Sequence, residues 1–199
     1  DVQETMNCDF KTSVSSTVSA ATRAAATRTT VAMPDYTTIP SGAIEVSSLS
    51  AWSALEGNKV YKMTGTYNRT INFWGNYNTI TKLFVQGTWT IPSDFTFQNG
   101  IEVIVMNGGK IISTRDIAFV NSSYLTIMPG GSVSFRNLEF TNSGNELKNW
   151  GTVTTTQDLK ISNGGLFYSK GTIVAEDASF NSSSLMQNEG TISLSGLFY

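Results

Sequence analysis

Four aspartates and an asparagine recur at nearly one spacing, as Asp94, Asp116, Asn137, Asp158 and Asp177. Each stands directly before the apolar residue that opens a strand-like alternation. Acidic side chains lined up in register repel one another unless the charge is answered. Three chemistries are open to this column. The side chains can cap their own corners as Asx-turns. Arg115, Arg136 and Lys160 can offset them. Asp94, Asp116, Asp158 and Asp177 can also bind calcium, a cation that prefers hard oxygen ligands. Against calcium, Asn137 interrupts the column, no second acidic column lies beside it, and no Gly-Gly-x-Gly-x-Asp nonapeptide occurs. No other cofactor is implied.

Catalysis finds little support in the same residues. A glycosidase needs two carboxyl groups facing each other across a substrate. Asp94 and Asp116 instead hold repeated positions, and no long inserted loop breaks the repeat around them. Histidine is absent, which removes the commonest general base and the commonest zinc ligand. The lone cysteine, Cys8, reads as a small hydrophobe rather than a reactive thiol. A non-enzyme is expected.

Binding is better supported than catalysis. Trp74, Tyr77, Tyr124 and Trp150 stand where the other repeats carry mostly polar residues. Outward aromatic rings can stack on sugar faces. Isolated exposed aromatics, or a contact with another domain, are the simpler and favoured reading of these residues. Thr152, Thr154, Thr155 and Thr156 resemble the flat threonine arrays of ice-binding solenoids, but they read as one coil rather than a ladder. Residues 60–199 carry nine acids and nine bases, so no basic stripe is left to neutralise phosphates. Nucleic acid is therefore not an expected partner. No apolar run reaches the ~20 residues of a membrane span.

The elements that must position these side chains follow from a glycine repeat. Gly65, Gly87, Gly109, Gly131, Gly151, Gly171 and Gly190 each head a Gly-(Thr/Ser/Lys)-apolar tripeptide, at gaps of 22, 22, 22, 20, 20 and 19 residues. A period near twenty means coils stacked on one another. The glycines are expected at tight corners that need φ > 0. A second corner column, Asn99, Asn121, Asn142, Asn163 and Asn181, suits an amide ladder that tolerates left-handed backbone. N-glycosylation sequons at Asn68, Asn121 and Asn181 are an alternative reading.

Apolar residues fall into three sets around those corners. Four places before the glycine stand Tyr61, Leu83, Val105, Ile127, Leu147, Phe167 and Met186. Two places after it stand Tyr67, Trp89, Ile111, Val133, Val153, Ile173 and Ile192. A third set comprises Phe95/Phe97, Ile117/Phe119, Leu138/Phe140, Leu159/Ile161 and Ala178/Phe180. The spacing of two within pairs is the inward period of a strand.

The expected fold is all-β: a single-stranded parallel β-helix (β-solenoid) of about seven coils, with about three short strands per coil. Residues 59–199 form it. Residues 46–58 are expected as a short capping helix, on the spacing of Leu49, Trp52 and Leu55 with Gly57 as the stop. Residues 1–45 read as a Ser/Thr/Ala-rich extended or flexible segment.

The stretches Gly100–Ile111, Leu125–Val133 and Phe167–Ile173 resemble the solenoid segment of exported Bacteroidetes proteins of the kind that carry a C-terminal LruC-type domain. The resemblance covers roughly residues 60–199. It implies a cell-envelope location, outer surface or extracellular, in proteins typically taken to be surface lipoproteins. It implies an adhesive or structural role, a glycan or protein receptor as partner, and a further domain after Tyr199. The start at Asp1, without methionine, is consistent with a removed export signal. The functional expectation is a non-enzymatic surface or secreted module acting as adhesin or spacer. The alternative is a carbohydrate-binding, or polysaccharide-degrading, β-helix module.

Overall fold

Short runs that alternate at period two cannot bury an apolar face alone, and here they bury it against one another in a parallel β-solenoid of about seven turns. The computed structural model describes residues 31–50, 53–74, 78–181 and 183–199. Cys8, the 11–30 stretch, Trp52 and Tyr77 lie outside the described residues.

From Thr81 onward the chain visits three sheets in rotation, as in Ile101–Val105, Lys110–Ile112 and Asp116–Val120. The first sheet has eight strands, the second seven and the third five, and neighbouring strands pair in parallel. Their inward side chains merge into one continuous core running from Val46 to Ile192. Phe97, Phe119 and Phe140 stack face to face along it, at centroid distances of 4.5 and 4.9 Å. Each such buried ring is worth roughly 1.5–3 kcal/mol.

Two of the three apolar columns lie in the register expected. On the second sheet Tyr67, Trp89, Ile111, Val133, Val153, Ile173 and Ile192 are successive partners. On the third, Phe95/Phe97 lead to Ala178/Phe180 in the same order. The first sheet departs by two residues. Leu83 pairs with Val103 rather than Val105, and Leu147 pairs with Leu125 rather than Ile127. The corners after Val105 and Ile127 contain two extra residues, Asn107-Gly108 and Pro129-Gly130, which the other coils lack. Counting four places back from the glycine across these corners therefore stops two residues short.

The glycine column is glycine for a reason other than the expected one. None of its seven members has positive φ, whereas Gly108 (79°) and Gly130 (80°), which precede two of them, do. What excludes a side chain is the coil before. A Cβ on Gly87 would fall on the Gly65 carbonyl oxygen, one on Gly109 on that of Val85, and one on Gly151 on that of Gly131. On Gly131 it would stand 2.7 Å from the Val105 oxygen. The same close approach carries a string of hydrogen bonds. Thr88 N–H donates to Gly65 O at 3.0 Å, Lys110 to Gly87 at 2.9 Å and Thr172 to Gly151 at 2.9 Å.

The front of the stack is built from strand and turn in place of the expected helix. Within 46–58 the described residues form a 3₁₀ turn, Val46–Ser48, and a strand, Ala54–Glu56, parallel to Asn72–Trp74. Leu55 is buried between less buried Ala54 and Glu56, the alternation of a strand. Ile44–Glu45 opens the first sheet. The Glu45 carboxylate accepts from Thr64 Oγ1 at 2.7 Å and from the Tyr67 hydroxyl, tying the first coil shut.

The end of the segment expected to be extended or flexible is a packed strap. Tyr36 and Ile39 lie on the outside of the first sheet, over outward-facing Phe84 and Ile104 and the corner residues Met106 and Met128. The Tyr36 ring meets Phe84 edge-on at 5.5 Å.

The glycine geometry yields a paired prediction. Gly87→Ala should destabilise the protein by about 2 kcal/mol or more, because a backbone oxygen must move. Gly65→Ala, in the same column but with nothing within 4 Å of its new methyl, should stay within about 0.5 kcal/mol. Denaturant midpoints of the two variants check this.

Candidate functional site

The acidic column sits at the entry to the third sheet and is engaged from coil to coil. Asp94 Oδ1 accepts the backbone N–H of Asp116 at 3.1 Å. Asn137 Oδ1 accepts that of Asp158 at 2.9 Å, and Asp177 Oδ1 that of Leu197 at 2.5 Å. Each side chain thus reaches the following coil, where an Asx-turn would keep it within its own corner. Asp116 is held differently. Arg136 donates to both of its oxygens, at 2.7 and 2.6 Å, and Asn137 Nδ2 donates at 2.8 Å. The guanidinium also stands 3.8 Å from Asp94.

Of the three expected answers to the column's charge, Arg136 supplies one directly. Lys160 is neighbour to Glu139 on the adjacent strand. Among the described residues no three carboxylate, cysteine or histidine side chains come together that could hold a metal ion. Asn137 matters for this geometry: its amide donates to Asp116 while its carbonyl accepts from Asp158. A carboxylate there could not donate.

The asparagine column takes the strained backbone. Asn99, Asn121, Asn142 and Asn163 have φ of 62°, 56°, 73° and 57°, and Asn142 Nδ2 donates to Asn121 Oδ1 at 3.4 Å. At the corner of Asn181 the left-handed residue is Ser183 (66°).

The described aromatic candidates, Trp74, Tyr124 and Trp150, lie on different elements. Trp74 ends a strand of the separate two-stranded sheet and is 77% exposed. Trp150 stands at a corner, half-buried, its ring 5.3 Å from that of Tyr168. Tyr124 faces outward from the first sheet, half-buried between Glu102 and Glu146 of the adjacent coils. Tyr124 lines a cavity.

That cavity is a groove of about 330 Å³ between the strap and the outer face of the first sheet. Tyr124, Thr126, Glu102, Glu146 and Lys148 form its floor, and Pro34 and Tyr36 belong to the strap side. The Tyr36 hydroxyl donates to Glu102 at 3.1 Å and accepts from Lys82 Nζ at 2.9 Å. Lys82 also lies over the Tyr36 ring, 4.9 Å from its centroid. Burial pushes the Tyr36 phenol up, with Glu102 adding to the rise and Lys82 opposing it. Thr126 Oγ1 donates to Glu102 at 3.3 Å, and Lys148 pairs with Glu146 at 2.5 Å. Apart from Tyr124, none of these residues stands out in the sequence. Their signal would have been Glu102, Tyr124 and Glu146 at matching outward positions, visible only once the two-residue shift is known.

The second sheet carries a hydroxyl-rich outer face. Thr152 and Thr154 belong to rows rather than to one coil: Thr66, Thr88, Lys110, Ser132, Thr152, Thr172 and Thr191 are successive partners. That register corrects the single-coil reading for Thr152; the row of Thr154 includes Ile112 and Val174, and Thr155 is buried.

No protein-family model, curated protein or solved structure matches the chain. No helix among the described residues is long and apolar enough to cross a membrane.

The Asp116 contacts set a pH dependence. Hydrogen bonds from Arg136, joined by one from Asn137, hold the Asp116 carboxyl below its ordinary value against a smaller effect of burial. A lowered folded-state pKa contributes stability that is present above the unfolded value, near 4, and is lost as pH falls through the folded value. Arg136→Met should therefore lower stability only slightly at pH 7, since the pair is exposed, and make no difference at the lowest pH. Denaturant melts from pH 6 to pH 2 check the convergence.

Proposed function

We propose that the chain is a non-catalytic surface module, a rigid β-solenoid that holds binding surfaces away from a cell as an adhesin-like or spacer element. The observation that carries this reading is the uninterrupted stack. Among the described residues coil follows coil between Val60 and Leu194, and their inward side chains form one core with no break where a catalytic cleft could open. Enzymes built on repeat scaffolds use inserted loops to assemble a site. Here the corners are occupied by glycine, asparagine and aspartate engaged with the next coil.

The proposal includes location and partners. The resemblance of residues 60–199 to exported Bacteroidetes solenoids supports the outer surface or the extracellular space. A glycan or a protein receptor is the proposed partner, and a further domain after Tyr199 belongs to the same reading. The low charge of the chain, 14% of residues, and its hydroxyl-rich second sheet suit a surface that meets other surfaces without nucleic acid.

Antibodies raised against residues 60–199 should label intact cells that express the protein to the same extent as permeabilised ones. Labelling confined to permeabilised cells contradicts the proposal. Purified protein incubated with polysaccharides should release no reducing ends.

A further inference from the structure

We infer that the groove between the strap and the first sheet is a binding site for a neutral sugar of an oligosaccharide chain. This deepens the proposed surface role by naming a site and a ligand class, and it rests on that reading. The shape comes first. About 330 Å³ lies within the range of small-ligand sites. A flat solenoid face has no such hollow, and the strap makes it one by raising Pro34 and Tyr36 beside the floor.

The chemistry of the lining selects the ligand. Tyr124 is half-buried at the groove and flanked by Glu102 and Glu146 on the coils to either side. An aromatic ring with carboxylates on both sides suits a pyranose: the C–H face of the sugar packs on the ring, and its edge hydroxyls donate to the acids. Lys148 supplies donors to sugar oxygens.

Charge excludes the other classes. Two acids and two bases meet at the groove, paired as Lys82–Glu102 at 3.7 Å and Lys148–Glu146 at 2.5 Å. An anionic or cationic ligand would find its counter-charge already engaged, whereas hydroxyls can share these groups without unpairing them. The groups are also held in place before a ligand arrives. Glu102 is fixed by Tyr36 and Thr126, so little ordering remains to be done on binding.

The geometry also separates this site from Trp74, which lies on another sheet. The probe is a set of neutral oligosaccharides, namely cellohexaose, mannopentaose and chitopentaose, titrated calorimetrically into the 199-residue chain. At least one should bind at micromolar to millimolar concentration. Tyr124→Ala should weaken it tenfold or more, Tyr124→Phe should retain it, Glu146→Gln should weaken it several-fold, and Trp74→Ala should leave it unchanged. Thermal melts of Tyr124→Phe and Glu146→Gln confirm that these variants fold, should the alanine variant not. Silence with all three sugars overturns the site, as does binding lost on Trp74→Ala but not on Tyr124→Ala, or binding of charged polygalacturonate alone. The surface role would survive any of these results and falls only to the cell-labelling experiment.

Discussion

The closeness of one coil to the next at the glycine corners is the constraint on which the rest of this molecule depends. There the carbonyl oxygen of one coil occupies the space that a Cβ of the following coil would take. The same carbonyls accept the N–H groups that start the strands of the second sheet. Parallel strands pair ~4.8 Å apart only if their backbones can come together along the whole length. Where a corner held a side chain, the coil above would be pushed off its ladder, and the three sheets would lose register together. The continuous core and the outward rows are consequences of that contact.

Register, in turn, gives each outer face its character. The third sheet presents a ladder of acids and amides that bind the coils to one another. On the second sheet one outward row is threonine and serine apart from Lys110, and the other mixes hydroxyl residues with Asn68, Ile112 and Val174. The first sheet carries apolar Phe84 and Ile104 on its outside, which would be exposed without the strap that Tyr36 anchors. One winding rule thus yields faces of quite different chemistry. Such a rod suits a protein whose work is contact with other surfaces.

Much of this was legible in the sequence, and the gaps have physical causes. The column two places after each glycine could be read off directly, because the chain length between them is constant. Before the glycine it is not. Asn107-Gly108 and Pro129-Gly130 lengthen two corners, and the backward count misassigns Val105 and Ile127 by two places. The front end misled for a different reason. The spacing of Leu49, Trp52 and Leu55 suggests a helix, while Leu55 follows the strand alternation of its neighbours Ala54 and Glu56. The groove was hidden because it joins residues of three coils to a strap some 66 residues away, through Tyr36 and Glu102. Tyr124 alone was visible, as an aromatic in a polar place.

Register along the first sheet is where sequence counting and structure disagree. A disulfide bridges Cα atoms about 4.4–6.8 Å apart, which fits paired residues of neighbouring parallel strands and excludes a slip of two. In a Cys8→Ser background, Tyr124→Cys with Glu146→Cys should oxidise rapidly and raise the melting temperature. Thr126→Cys with Glu146→Cys, the pairing that counting from the glycine would give, should remain reduced. Crosslinking of the second pair and not the first would contradict the stacking described here.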